Sequence, residues 1–302
     1  MSKRQDPPGT AIPPMAIVLL GLLAVFWGAN WPIMKVGLEE IPPFVYRAAS
    51  SGSAAIGLFL IAKMGGHSLA VPRGERKGLV IAAVLNMSLW NLLILYGVYF
   101  MDPGRAAILA YTMPLWATVA GVFLLHERLG ARAIASLILG LFGMLLLFVG
   151  DEQALSGGWM GPTMILVAAV SWGVGTVLMK YYAFSMTVTV TTAWQHAIGG
   201  LPIAVIALVW DIHNIPDEVH LIPVLTVVYN MTITGIFCYW AYFKVVSMLP
   251  VVVSTVGTLM VPVLGVFFNA IGFSIMPGWV DYVALAAVVG AVFLVMTRGR
   301  HG

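Results

Sequence analysis

Two stretches of the chain carry the same unusual side chains in the same order: FWGANWPIMK at 26–35 and SWGVGTVLMK at 171–180. Each sets an indole, a glycine, a methionine and a closing lysine in or at the end of an apolar run. Indole faces stack on flat solutes and hold cations, and amides can receive a carboxylate. Trp27, Asn30 and Trp172 supply such groups, and Asn86, Trp90 and Asn91 gather more, with Asn86 and Trp90 four apart on one helix face. Tyr111, Tyr239 and Thr258 add hydroxyls, and His196 adds a ring whose charge can change near neutral pH. Such a set suits recognition of a ring-bearing zwitterion or a flat organic dication.

Bond-breaking chemistry finds no comparable constellation. The chain lacks H-E-x-x-H, G-x-S-x-G and G-x-x-x-x-G-K-[ST], and the serines of SSGS (50–53) have no histidine close in sequence. Cys238 is the single cysteine, which excludes an intrachain disulfide and a cysteine metal cluster. No enzymatic activity, no cofactor and no metal are expected.

The elements that must position these groups follow from composition. Of 302 residues, 61% are hydrophobic and 9% charged, against roughly half and a quarter in soluble domains. Mean hydropathy is +0.98, which makes this an integral membrane protein. Apolar runs of about 20 residues, the length a helix needs to cross a bilayer, fall near 15–36, 42–62, 78–98, 103–125, 131–149, 159–180, 187–210, 221–243, 250–270 and 279–297. The spacing predicts an all-α fold of ten transmembrane helices. Runs such as LILGLFGMLLLFVG (137–150) show none of the alternation of outer-membrane strands. The first run is too long for a signal-peptide core and lacks a small-x-small cleavage site, so it reads as a retained span.

Charge sets the threading. With a cytoplasmic N-terminus, the inner side receives Lys3, Arg4, Lys63, Arg73, Arg76, Lys77, Arg128, Arg132, Lys180, Lys244, Arg298 and Arg300, which is 12 of the 15 basic residues. The outer side receives Glu39, Glu40, Asp102, Asp151, Glu152, Asp211, Asp217 and Glu218, with Lys35, Arg47 and Arg105 near outer span ends. Both termini are therefore expected in the cytoplasm. The net charge of +3 is a topogenic signal that calls for a lipid bilayer and for no nucleic acid.

The repeated stretches align Trp27, Gly28, Met34 and Lys35 with Trp172, Gly173, Met179 and Lys180 at a constant offset of 145 residues. Five spans separate the copies, and an odd number of crossings makes the second enter from the opposite face. The reading is two inverted five-helix repeats, 1–150 and 151–302. Prolines agree: Pro103 and Pro114 in the fourth span match Pro250 and Pro262 in the ninth. A mid-span proline removes one backbone hydrogen bond, so Pro114 and Pro262 mark either packing kinks or gating hinges. At the helical rise, Trp27 lies roughly 18 Å into its span, near the membrane midplane.

The W-G-x-N element (Trp27, Gly28, Asn30), a fourth span closing as P-x12-E (Pro114 to Glu127) and ten spans in two inverted fives resemble the EamA-type drug/metabolite transporters. Within that superfamily the sequence looks most like the bacterial exporters of aromatic amino acids and paraquat. The resemblance implies ten helices around a central cavity in the bacterial inner membrane, moving small metabolites outward by alternating access. One departure stands out: after Pro262 the second half has no counterpart to Glu127-Arg128. That pair is expected to orient the inner end of the fourth span rather than touch substrate.

Polar residues deep in spans should face the bundle interior. Trp27 and Trp172 then either line a cavity or pack helices, and the asparagines either contact ligand or bond between helices. Every basic residue falls at or near a span end, which disfavours phosphorylated substrates. No carboxylate lies deep, since Asp102, Glu127 and Asp281 are close to span ends. His196, beside Gln195, is either a packing residue or a proton carrier. The expectation is downhill or weakly coupled export of aromatic amino acids, with methyl viologen as a further solute. The alternative is proton-coupled export of other neutral amino acids or hydrophobic cationic drugs. Nothing in the sequence sets an oligomeric state.

Overall fold

The computed structural model describes residues 12–100, 103–149, 158–273 and 278–296, and every regular element among them is helical. The expected boundary at 150/151, both termini, and the charges at Lys3, Arg4, Asp102, Asp151, Glu152, Arg298 and Arg300 lie outside the described residues. Helices α1 (Pro14–Gly37) and α2 (Pro43–Met64) each open on proline, whose missing N–H is unneeded in the first turn. The third span runs through α3 (Arg76–Ala83), a π-helical stretch π1 (Val84–Leu89) and α4 (Trp90–Tyr99). The fourth is α5 (Pro103–Ala110) and α6 (Met113–Leu125), and the fifth is α7 (Ala131–Val149). Then come α8 (Met160–Tyr181) and α9 (Val188–Ile206), the latter extended by π2 (Ala207–Asp211). The eighth span stacks α10 (Leu221–Tyr229), π3 (Asn230–Cys238) and α11 (Tyr239–Met248), and the last two are α12 (Val251–Gly257) with α13 (Met260–Phe273), and α14 (Trp279–Met296).

Nine of these spans, among the described residues, are long and apolar enough to cross a membrane. The tenth apolar helix is α7, whose described apolar stretch, Ala131–Leu146, is shorter. The outside of the bundle is covered by exposed aliphatic side chains such as Ile17, Leu60, Ile138 and Leu201, as a lipid-facing surface requires.

Pro114 and Pro262 do not sit in kinked continuous helices. Each lies near the start of a second helical piece, because the backbone leaves the helix at Tyr111–Thr112 and at Thr258–Leu259. A threonine mends both breaks in the same way: Thr112 Oγ1 donates to Leu109 O and Thr258 Oγ1 to Thr255 O, each at 2.7 Å. Carbonyls that a proline leaves open are costly in lipid unless the protein itself supplies a donor.

Contacts recur in swapped form. Helix α1 packs on α13 and α8 on α6, while α2 faces α9 and α7 faces α14. Gly28 lies against Val261 O and Leu264, and Gly173 against Met113 O, Trp116 and Ala117 N, so each Trp-Gly pair meets the piece that follows the broken span. Tyr229 donates to Phe26 O at 2.8 Å, and Ser171 to Leu85 O at 2.7 Å. Glu40 accepts from His220 N at 2.8 Å, and Glu75 from Ser185 N at 3.1 Å. Shifting one partner up and the other down by 144 or 145 residues turns the first contact of each pair into the second. Such reciprocity is what a two-fold arrangement of like units produces.

Candidate substrate-binding site

Tyr239, Tyr242 and Phe243 stand at i, i+3 and i+4 on α11 and share one face. That face meets Trp27 of α1 and Trp172 of α8. Trp27 lies 5.7 Å from Tyr239, 5.6 Å from Tyr242 and 6.3 Å from Trp172 between ring centroids. Trp172 is 5.3 Å from Tyr242 and 5.8 Å from Tyr239, and Trp90 closes on it at 4.9 Å. Most of these pairs are edge-on or tilted, the geometry that ring quadrupoles favour. The polar tips are also matched, since Trp172 Nε1 donates to the Tyr242 hydroxyl at 3.1 Å and Thr176 Oγ1 lies 2.9 Å from it.

Two polar nodes flank the rings. In one, Asn30 Oδ1 accepts from Asn230 Nδ2 at 2.6 Å and from Thr234 Oγ1 at 3.0 Å. In the other, Asn86 Nδ2 donates to Gln195 Oε1 at 2.8 Å. Both asparagines on the partner spans, Asn86 and Asn230, belong to π-helical stretches. Wider turns leave backbone carbonyls without their usual donors, and side chains take them up: Ser171 on Leu85 O, Asn91 on Met87 O, Ser50 on Asn230 O and Ser53 on Met231 O.

Of the residues expected from sequence, the structure brings Trp27, Trp90, Trp172, His196 and Tyr239 together. The His196 ring stands 4.5 Å from Tyr239, edge-on. Asn91 adjoins the Tyr239 hydroxyl, and Tyr111, buried nearer the other end, adjoins the Trp31 indole. Asn30 and Asn86 sit in the nodes. Thr258 stays apart at the ninth-span break, its hydroxyl on Thr255 O, and Pro114 and Pro262 lie beside the two breaks. Several buried polar atoms have no protein partner: both ring nitrogens of His196, Asn86 Oδ1, Gln195 Nε2 and Asn230 Oδ1. Among the described residues no three His, Cys, Asp or Glu gather as metal ligands.

A pocket of about 260 Å³ opens at the end that holds Lys180, lined by Met179, Lys180, Phe184, Thr191, Phe243 and Ser247. Phe243, stacked at 6.0 Å on Trp172, separates this pocket from the ring cluster. Charge ties together the helix ends beside the pocket's Lys180. His126 adopts a left-handed backbone (φ 53°) at the end of α6, a conformation usually left to Gly or Asn. The turn carries Glu127 back to accept from Val251 N, at the N-terminus of α12, at 3.2 Å. Lys180 Nζ lies 3.8 Å from the same carboxylate and donates to Leu249 O at 2.7 Å.

Known proteins share this plan. A solved crystal structure covers 94% of this chain and 96% of its own with a TM-score of 0.77 at 17% identity, which establishes the fold. The model of the EamA-like transporter family matches residues 14–149 and again 159–297. The chain belongs to the EamA-like transporter family. Its relatives include the uncharacterized transporter YoaV of Bacillus subtilis, 28% identical over 93% of this chain and 94% of that one. Another is an Escherichia coli protein named "Probable amino-acid metabolite efflux pump", 27% identical over 64% of each chain.

In this EamA-like transporter, sequence reasoning passed over Tyr242, Phe243, Asn230, Thr234 and Gln195. Helical spacing from Tyr239 would have found the first two. Asn230 lies 144 residues after Asn86, close to the repeat offset, and could have been found by carrying that offset across the third and eighth spans.

Proposed function

We propose that this multi-pass membrane transporter is an alternating-access exporter of the bacterial inner membrane, built from two inverted five-helix units, 1–150 and 151–302, that carries aromatic amino acids. The swapped contacts at a constant offset support the two-unit reading, since inverted halves of one ancestor create a central site with two alternating exits. The observation that carries the substrate class is the convergence of Trp27, Trp90, Trp172, Tyr239 and Tyr242 on one centre between the halves. Aromatic faces bind a substrate ring and hold its ammonium. The cytoplasmic end is the one bearing Lys180 and Glu127, in line with the positive-inside bias.

Counterflow in liposomes tests this. Vesicles holding purified protein and unlabelled phenylalanine should take up labelled phenylalanine, tyrosine or tryptophan in a saturable, trans-stimulated way, and leucine more weakly. Trp27→Ala should cut that flux about fivefold or more, as loss of a ring contact worth about 1 kcal/mol or more implies. No trans-stimulated aromatic flux would end the reading. Transport is downhill or weakly coupled because, among the described residues, no carboxylate lies deep in a span. Proton-coupled export of other solutes is favoured by one observation, the two unpartnered nitrogens of His196. Accumulation driven by a pH gradient and lost in His196→Gln would decide for it.

A further inference from the structure

Arg47 lies in the first turns of α2, where a sequence reading places it at a span end facing water or headgroups. The structure turns it inward. Its Nη2 donates to Met34 Sδ at 3.2 Å, and its Nε is buried without a partner. A thioether is a weak acceptor, and the half-buried guanidinium keeps one buried N–H, at Nε, without any partner. No carboxylate among the described residues comes within ion-pair distance. Glu40 is engaged with His220, and Asp211, brought to the start of α2 by the fold, with Phe44 N at 2.7 Å. A cation held within a span without a counter-charge is costly and marks a functional position.

Its placement says what function. Trp27, Trp31 and Met34 follow one another at i, i+4 and i+7, one face of α1. That face carries Trp27 into the ring cluster, Trp31 to Tyr111, and Met34 to Arg47. Seven residues of rise, about 10 Å, separate the two ends of this strip. The inner end of the strip stands beside Tyr239, whose ring lies 5.7 Å from that of Trp27 between centroids. We propose that Arg47 is the carboxylate anchor of the transported amino acid, pairing bidentately with it while the substrate ring lies against Trp27, Trp31 and Tyr239. The proposal rests on the carrier reading above and sharpens it: a solute lacking a carboxylate, such as an aromatic amine or an organic dication, is rejected. Arginine is the side chain whose planar fork matches a carboxylate.

The test is competition for labelled phenylalanine counterflow by unlabelled phenylalanine, phenylalanine amide and phenethylamine. Wild-type protein should prefer phenylalanine over both analogues by about tenfold or more, the usual worth of a charge-assisted pair. Arg47→Gln should raise the half-saturating phenylalanine concentration about tenfold and reduce the preference to about twofold. Arg47→Lys, which keeps charge without the fork, should fall between. Wild-type protein that takes the amide as readily as phenylalanine overturns the anchor and leaves the carrier reading intact, and this outcome needs no variant to fold. Wild-type vesicles that show no phenylalanine counterflow remove both. A lipid phosphate offers similar chemistry, so the series is run in phosphatidylcholine with and without phosphatidylglycerol. An Arg47→Gln effect confined to the anionic vesicles assigns Arg47 to a headgroup and overturns the proposal.

Discussion

Asn30 and Gly175 stand at the same register, 145 residues apart, one turn beyond Trp27 and Trp172, yet the two positions work in opposite ways. Asn30 accepts from two donors, Asn230 and Thr234, in a node whose one open atom is Asn230 Oδ1. At 175 there is no side chain, and the Asn86 amide occupies the place where a Cβ would stand. Asn86 therefore reaches past to Gln195, and that node leaves Asn86 Oδ1, Gln195 Nε2 and the His196 ring without partners. Buried polar groups left open in a low-dielectric interior are costly, and they persist where water or a solute completes them. The Asn30 node thus leaves one buried polar atom open, and the Asn86 node with the neighbouring His196 ring leaves four.

The largest effect should come from closing that vacancy. Gly175→Ala places a methyl on the Asn86 amide and on Leu85 Cβ, both in the body of the third span. Displacing the amide breaks its bond to Gln195 and strands two buried polar groups, a cost of about 3 kcal/mol. Gly52→Ala, in a helix with nothing within 4 Å of its added methyl, should be neutral or slightly stabilising. Thermal unfolding in detergent reads the contrast, and equal midpoints for the two variants would show that the Asn86 contact has slack.

Much of this architecture can be read before any coordinates. The long apolar helices, the Trp-Gly repeat and the paired prolines follow from hydropathy and offset, because lipid forces long apolar helices. Trp27, Trp172 and Tyr239 could be picked as interior because rings deep in a span have few other uses. What sequence alone does not reveal is the partner of each polar group. Nothing in the type of Asn86 says that it meets Gln195, since π-helical turns shift the register by a residue and hydropathy is blind to them. Arg47 is hidden for a related reason: four residues from a span start, only the helix face decides between headgroup and interior. The helix breaks before Pro114 and Pro262 were legible as irregularities but not as breaks, because their form depends on Thr112 and Thr258 supplying hydroxyls.

A smaller effect separates the nodes directly. Asn30→Ala removes the acceptor of two buried donors and should cost about 2 kcal/mol of stability, while Asn86→Ala removes a single bond and should cost about 1 kcal/mol. Transport should rank them the other way, with Asn86→Ala impairing phenylalanine counterflow more per folded molecule than Asn30→Ala. If the two rankings coincide, the nodes do not divide structure from function and the comparison fails.

The smallest effect concerns the swapped ties at the two ends, Glu40 with His220 and Glu75 with Ser185. The Glu40 carboxylate accepts from His220 N and lies 2.8 Å from the ring Nδ1. The backbone N–H is the main reason its pKa stands below the ordinary glutamate value, with the ring adding to it. A carboxyl depressed by folding adds stability above its unfolded pKa and loses it as pH falls through the folded value. The thermal midpoint of wild-type protein should exceed that of Glu40→Gln slightly near pH 6, and the gap should close below about pH 4. Because the His220 side of the pair is largely exposed, salt should also narrow the gap. A gap that stays constant across this range would mean that the tie acts through shape alone, and that the acid end of the bundle is held by Asp211 on the start of α2 instead.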